Sequence, residues 1–277
     1  MARHRKDLRR RRTGRSAWTS SGRSDTNWAD MCRILAVVSR RPIPADILMA
    51  FRQLSATGKT YKDFGCPQAN PKPAHPDGWG IACVGAEGEV YARSPRKAAE
   101  DSAYEDALRR IGATVIPPVV LLAHVRRASV RDSIREQFCH PFRRELDGRV
   151  VYFAHNGSIE GYGIRNGRID SQEIFERFLV ALGDSGRPLT ELKQTLAKAK
   201  EGLEQEWPRK ISSLTFVLVD GNHVIAHRDA RTCVPYYTLH VTEVDGMQVI
   251  CSEVLPNLPG RWRMLRNGEF LEVAAPG

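Results

Sequence analysis

Met31-Cys32-Arg33-Ile34-Leu35-Ala36-Val37-Val38 is the stretch on which the fold turns. A cysteine stands directly behind an internal methionine, at the first residue of an apolar run that predicts a buried strand over Cys32–Val38. A mature chain beginning at Cys32 would carry a thiol and a free amine on one residue. The thiolate is a strong nucleophile, and an α-amine titrates near neutrality, at about 7.7–8.0. One residue could then serve as nucleophile and base together. The alternative at this stretch is a cysteine that is simply a small buried hydrophobe.

Upstream, residues 1–30 hold nine Arg or Lys against three Asp, so +6 of the chain's formal +10 belongs to this segment. Arg9-Arg10-Arg11-Arg12 sits among Ser, Thr, Gly and Asp, and the larger apolar residues are scattered: Leu8, Trp18 and Trp28. A secretory signal needs an apolar run of about 7–15 residues after its charges, and none follows. Residues 1–31 therefore read as a basic disordered arm, a propeptide or a mis-assigned start. An arginine arm can also neutralise nucleic-acid phosphates. Nothing downstream extends it with interleaved aromatics as a single-strand groove would, so nucleic acid is not the expected partner.

Downstream, residues 32–277 read as one domain. The whole chain is 42% hydrophobic, enough for a substantial core. No apolar run reaches the ~18 residues of a membrane span. Six cysteines, at 32, 66, 83, 139, 233 and 251, include no CxxC pair. That spacing predicts neither a zinc site nor a disulfide framework, and with no export signal it predicts reduced thiols in a cytoplasmic protein.

Helices are expected over Pro44–Leu54, Lys97–Arg110, Asp170–Leu182 and Leu189–Glu204. Strands are expected over Trp79–Val84, Glu89–Arg93, Val119–Val125, Arg149–Phe153, Ser213–Val219, His223–Arg228, Tyr236–Val241 and Gln248–Cys251. Asp220-Gly221-Asn222 signals one hairpin, and Asn267-Gly268 another that joins Trp262–Leu265 to Glu269–Val273. Hairpins interrupted by a helical block argue for an α+β arrangement of packed layers rather than a parallel βαβ sheet.

Polar groups gather just beyond three apolar runs: Cys32, His124-Val125-Arg126 and His155-Asn156-Gly157. His124 and His155 read as buried, hydrogen-bonded histidines that shape turns. His140-Pro141-Phe142 and Trp79 read as packing. Arg126 could be a structural ion pair, and Asn156-Gly157 a hairpin turn. A Cys–His hydrolase using His124 or His155 as base is a second reading. A catalytically silent module binding nucleic acid through the arm is a third.

The landmarks, in order, are Cys32 behind Met31, Asp77-Gly78-Trp79-Gly80-Ile81-Ala82, Ala123-His124-Val125-Arg126-Arg127-Ala128-Ser129, His155-Asn156-Gly157-Ser158-Ile159-Glu160, Asp170-Ser171 and Cys251-Ser252-Glu253. With them the chain resembles the class II glutamine amidotransferases of the Ntn-hydrolase superfamily. It is most similar to their small stand-alone members, the YafJ-like and EgtC-like group. The resemblance implies a four-layer αββα sandwich of two antiparallel sheets, with the amidotransferase domain over 32–277. It implies that Cys32 attacks the amide carbon of glutamine or a γ-glutamyl metabolite, and that Asn156 and Gly157 stabilise the oxyanion. Arg126 would bind the substrate carboxylate and Asp170 its ammonium. Gly80 would leave room beside the nucleophile, and Ser129 would line the pocket. No cofactor and no metal are implied. The partners implied are glutamine and a separate ammonia-accepting synthase, with a homodimer among the options. The chain departs from the family pattern at Arg127, where an aromatic is usual in the large synthases, at Ser129 for threonine, at Gln172 for glutamate, and in carrying the arm.

Overall fold

The strand that begins beside Cys32 is buried over its whole length as β1, Arg33–Ser39, and two sheets are organised around it. The computed structural model describes residues 32–66, 74–185 and 191–274. The arm, residues 1–31, lies outside the described residues, and so do the expectations placed on it.

In the first sheet β1 pairs on one side with β4 (Val119–Val125) and on the other with β12 (Met247–Cys251). β2 (Trp79–Val84) and β3 (Glu89–Ser94) continue beyond β4. β11 (His240–Val244) and β13 (Arg263–Met264) continue beyond β12, giving the order β13-β11-β12-β1-β4-β2-β3. In the second sheet β6 (Arg149–Asn156) lies between β5 (Phe142–Leu146) and β9 (Thr215–Asp220). β10 (His223–His227) and β14 (Phe270–Ala274) complete the order β14-β10-β9-β6-β5. Every pairing in both sheets is antiparallel.

Strand alternation sorts the side chains into three cores. Leu35, Val37, Leu121 and Ile81 point outward to α1 (Ala45–Thr57) and α2 (Ser102–Thr114). Ile34, Ala36, Leu122, Tyr152, Ala154 and Val217 fill the space between the sheets. Val151, Phe153, Phe216 and Leu218 face α3 (Asp170–Ser185) and α4 (Leu192–Glu206). Each fully buried aliphatic or aromatic side chain contributes about 1.5–3 kcal/mol, and the two-residue period makes both faces of each sheet apolar. The layers run helix, sheet, sheet, helix: an αββα sandwich.

The structure corrects several sequence expectations. Asn267-Gly268 does not close a hairpin: β13 belongs to the first sheet and β14 to the second, so this turn carries the chain between sheets. Asn156-Gly157 is no hairpin either, because β6 ends at Asn156 and the chain leaves the sheet. The segment after Pro141 forms the edge strand β5, whose polar residues Arg143, Arg144 and Glu145 hide the apolar alternation. Lys97–Arg110 also shifts: Ala98–Glu100 is a 3₁₀ turn, and Asp101 then starts α2 by accepting from the Ala103 N–H at 3.1 Å.

Cys66 and Cys233 form a disulfide, although all six cysteines read as reduced thiols. They are 167 residues apart in sequence but 5.8 Å apart at Cα, a proximity that only the fold creates. No described helix is long and apolar enough to cross a membrane.

Candidate active site

β1 and β6 are central strands of opposed sheets. Cys32 and Asn156 both follow the alternation that points into the gap between those sheets. The Asn156 side chain spans it: its Oδ1 accepts from the Cys32 N–H at 3.2 Å, and its Nδ2 donates to the Cys32 carbonyl at 2.9 Å. An amide nitrogen has two hydrogens, so Nδ2 keeps one more to offer. The Cys32 thiol is buried, and its Sγ lies 3.8 Å from the Arg127 carbonyl. Burial pushes Cys83 and Cys251 up to about 12 and Cys139 up to about 11, so these three thiols are inert at neutral pH.

Gly157 follows Asn156 where the chain turns out of the sheet. A Cβ there would stand 2.0 Å from the Ser213 carbonyl, so only glycine lets the two segments approach this closely. Ser158 and Ser212 fasten the next step, with the Ser158 N–H donating to Ser212 Oγ at 2.8 Å and the Ser212 N–H to the Ser158 carbonyl at 2.9 Å. His155 braces the turn from below. One ring nitrogen meets Ser171 Oγ at 2.9 Å and the other the Ser213 carbonyl at 3.1 Å. The carbonyl can only accept, so Nε2 carries the proton and Nδ1 accepts from Ser171 (a tautomer inferred from the partners). Burial pushes His155 down to about 4 and it stays neutral.

His124 differs from expectation. It is buried and neutral, pushed by burial down to about 3, but its ring nitrogens make no hydrogen bond among the described residues. It stacks instead on His140, with ring centroids 4.4 Å apart.

Arg126 stands directly after β4. The Asp77 N–H donates to its carbonyl at 2.9 Å, its own N–H donates to the Gly78 carbonyl at 2.8 Å, and Asp77 accepts from the Ala128 N–H at 2.9 Å. The Asp77-Gly78 and Arg126–Ala128 motifs are thereby strapped together. The Arg126 side chain is buried and spends Nη1 on the Ser133 carbonyl at 2.7 Å and Nη2 on Ser133 Oγ at 2.8 Å. Among the described residues it is anchored by these hydrogen bonds and by no ion pair. Asp170 opens α3. Its oxygens accept from the Ile159 N–H at 2.7 Å and the Ser171 N–H at 2.8 Å. Burial pushes the Asp170 carboxyl up, and those two N–H groups and the charge of Arg126 oppose it. Arg126 and Asp170 thus lie within electrostatic reach of each other.

Gly80, on β2, pairs with His124 of β4, and a Cβ there would stand 2.2 Å from the His140 carbonyl. Its bare backbone accommodates the 139–141 segment. Ser129 lies half-buried on the loop just after β4. Trp79 is a core residue with its Nε1–H on Asp101 at 2.9 Å, as expected of packing.

Sequence reasoning missed Arg33. It is fully buried, its Nη1 donates to the Cys32 carbonyl at 2.9 Å, its Nη2 donates to the Lys59 carbonyl at 2.5 Å, and its Nε pairs with Glu253. The signal was present: a lone charge inside an apolar run needs a partner, and the late Cys251-Ser252-Glu253 motif supplies it. Ser252 also ties β1 down, its Oγ accepting from the Ile34 N–H at 3.0 Å. Among the described residues no group of three His, Cys, Asp or Glu side chains is placed to hold a metal.

Known proteins share this chain's sequence pattern and fold. The sequence model of the family described as class-II glutamine amidotransferases matches residues 31–253. The chain is 30% identical over 132 residues to the Escherichia coli (strain K12) protein YafJ, a stretch covering 48% of this chain and 45% of YafJ. The three curated relatives it matches are covered over 45%, 63% and 44% of their lengths. Among solved structures, it superposes on a glutamine aminotransferase class-II domain protein from Silicibacter pomeroyi with a TM-score of 0.52 and 20% identity, covering 88% of this chain and 95% of that one. It superposes on the glutamine phosphoribosylpyrophosphate amidotransferase from B. subtilis with a TM-score of 0.58 and 15% identity, covering 88% of this chain and 47% of that one.

Proposed function

The chain belongs to the class-II glutamine amidotransferases, and on that premise we propose that it releases ammonia from the side-chain amide of glutamine, or of a γ-glutamyl metabolite, with Cys32 as nucleophile. The observation that carries this reading is the clamp of Asn156 on Cys32, with Gly157 next in the chain.

In this mechanism the Cys32 sulfur attacks the amide carbon, and its proton passes to the Cys32 α-amine. The tetrahedral oxyanion takes the second N–H of Asn156 and the backbone N–H of Gly157, donors fixed before the reaction begins. The amine returns the proton to the leaving nitrogen, which departs as ammonia, and a γ-glutamyl thioester remains on Cys32. Water, deprotonated by the same amine, releases glutamate. Arg126 offers its remaining donors to the substrate carboxylate, and Asp170 offers its carboxylate to the substrate ammonium. Ammonia passes to a separate acceptor enzyme or into solvent.

The Cys–His alternative is weaker on two observations. Both ring nitrogens of His155 are taken by Ser171 and Ser213, and burial makes His124 a poor base. The nucleic-acid alternative rests on the arm and predicts steep salt dependence of binding that vanishes on truncation.

The test is incubation with glutamine and, separately, with a diazoketone analogue of glutamine. Glutamate release, together with one added mass located on Cys32 and absent from Cys32→Ala, is the expected result. A Cys32→Ala protein that hydrolyses glutamine like the parent sinks the reading.

A further inference from the structure

The residue after the nucleophile is a charge buried at the heart of the site, and nothing in the mechanism above uses it. Four groups surround the Arg33 guanidinium. The Cys32 carbonyl accepts from Nη1, the Lys59 carbonyl accepts from Nη2, Glu253 pairs with Nε, and the Tyr236 ring lies face-on at 4.4 Å from the central carbon. Glu253 in turn accepts from the Lys59 N–H at 2.8 Å, which closes the ring of contacts. Tyr236 is fully buried and packs edge-on against Tyr61 at 4.8 Å.

The order of these charges matters. Arg33 touches Cys32, whereas Glu253 approaches Arg33 from its Nε side. The positive end of the pair therefore lies on the Cys32 main chain. The other ionisable groups packed around it are the phenols of Tyr236 and Tyr61, the thiol of Cys251, Arg126 and Arg127 beyond β4, the neutral His124 and His155, and His240 on β11. The buried Tyr236 phenol and Cys251 thiol stay protonated, so neither is an anion that cancels the guanidinium.

We propose that Arg33 is a positioning residue for the nucleophile: it fixes the Cys32 carbonyl and sets a buried positive charge against Cys32, which favours the thiolate and the neutral form of the α-amine. This deepens the reading of Cys32 as nucleophile and rests on it. An opposite charge within about 4–6 Å stabilises an anion by one to three pH units, and a like charge disfavours an ammonium in the same sense. Both effects widen the pH range in which Cys32 can attack and its amine can accept a proton. The hydrogen bond to the Cys32 carbonyl adds orientation, since it holds the peptide from which the thiol projects.

The test uses the protein expressed from Met31, whose removal frees the Cys32 amine, and two readouts. One is the pH dependence of Cys32 alkylation by iodoacetamide, located by mass spectrometry. The other is the pH profile of kcat/KM for glutamine. Arg33→Gln should move the acidic limb of alkylation up by about one pH unit. Glu253→Gln leaves the cation without its counter-charge and should move the limb down. Arg33→Lys keeps the charge but not the planar fork, so the limb should stay within a few tenths of a unit while kcat falls. Should Arg33→Gln fail to fold around an unpaired Glu253, the double variant Arg33→Gln/Glu253→Gln removes the pair together and should also move the limb up. An unmoved limb in a folded Arg33→Gln or double variant overturns the proposal, as does an unmoved limb in Glu253→Gln. The alkylation readout needs no turnover. Failure of the glutamine reading would appear separately, as Cys32→Ala retaining amidase activity.

Discussion

Asn156 and Cys32 are joined across the gap between the sheets by a reciprocal pair of hydrogen bonds, 3.2 Å onto Asn156 Oδ1 and 2.9 Å from its Nδ2. The side chain proposed to hold the oxyanion therefore also holds the nucleophile's main chain. Asn156→Ala should lose both, with amidase turnover falling about 10²–10³-fold or more in a folded protein. Asn156→Asp keeps the acceptor for the Cys32 N–H and loses both the donor to the Cys32 carbonyl and the oxyanion donor. Its kcat should fall nearly as far as in the alanine variant. Parental turnover in a folded Asn156→Asp protein would remove Asn156 from the oxyanion site.

Arg126 faces two demands, Ser133 on one side and the proposed substrate carboxylate on the other. Arg126→Lys should raise KM for glutamine more than tenfold, because an ammonium cannot reproduce the fork. Asp170→Asn should raise it from the ammonium end. Ser133→Ala removes only the contact at Oγ and keeps the carbonyl bond, so it should change KM by no more than a few-fold. A large rise in Ser133→Ala equal to that in Arg126→Lys would make Arg126 a loop anchor and nothing more.

The layered fold was legible because a continuous apolar run such as Val119–Val125 is buried on both faces, a pattern that requires cover on both sides. The ends of such runs marked the site. The sequence could not show which sheet receives a strand, so Trp262–Leu265 and Glu269–Val273 read as one hairpin although they belong to different sheets. Gly80 is a related case: a glycine signals close approach but does not say of what, and here its missing Cβ makes room for the His140 carbonyl. Arg33, Glu253 and Tyr236 come from distant parts of the chain, and only the packing brings them onto Cys32.

The Cys66–Cys233 bond closes a loop of 167 residues and ties the segment carrying Tyr61 to that carrying Tyr236 and Tyr237. Loop-closure entropy for so long a loop sets a ceiling of about 5 kcal/mol on its contribution, with 2–4 usual. Cys66→Ser/Cys233→Ser should lower the unfolding free energy by about 2–4 kcal/mol in denaturant titrations. Peptide mapping without reductant should recover the linked pair. Equal stability of the parent with and without a dithiol reductant would show that the bond contributes nothing.

Buried histidines set an acid limit. Burial pushes His155 and His227 down to about 4, His124 to about 3 and His140 well below the ordinary value near 6.5. In the unfolded chain they take up protons as pH falls below that ordinary value, while in the fold they do not. Stability therefore declines between about pH 6.5 and 4, by up to about 1.4 kcal/mol per pH unit for each, and is flat in these groups above pH 7. Asp170, pushed up by burial, works in the opposite direction at the lower end of that range. His155→Gln can keep bonds to Ser171 and Ser213 without titrating. Urea unfolding at pH 7, 6 and 5 should show a shallower decline for this variant than for the parent. Parallel declines would exclude His155 as a contributor.

The last prediction concerns the bond between Met31 and Cys32. The proposed mechanism needs a lone pair on the Cys32 nitrogen. As a peptide nitrogen it has none to offer, because resonance draws it into the carbonyl. It would then be only a donor to Asn156. Freed as an amine, the same nitrogen can donate to Asn156 Oδ1 and still take the thiol proton. Two routes expose it: translation from Met31 with removal of that methionine, or cleavage of residues 1–31. Two proteins should be compared, one expressed from Met31 and one whose arm is retained by substituting Met31. The first should begin at Cys32 by intact mass, hydrolyse γ-glutamyl amides and be alkylated at Cys32 by the diazoketone. The second should bind the analogue but turn over nothing. Full activity with the arm covalently attached would overturn the N-terminal nucleophile mechanism and return the site to a cysteine that borrows its base from another residue.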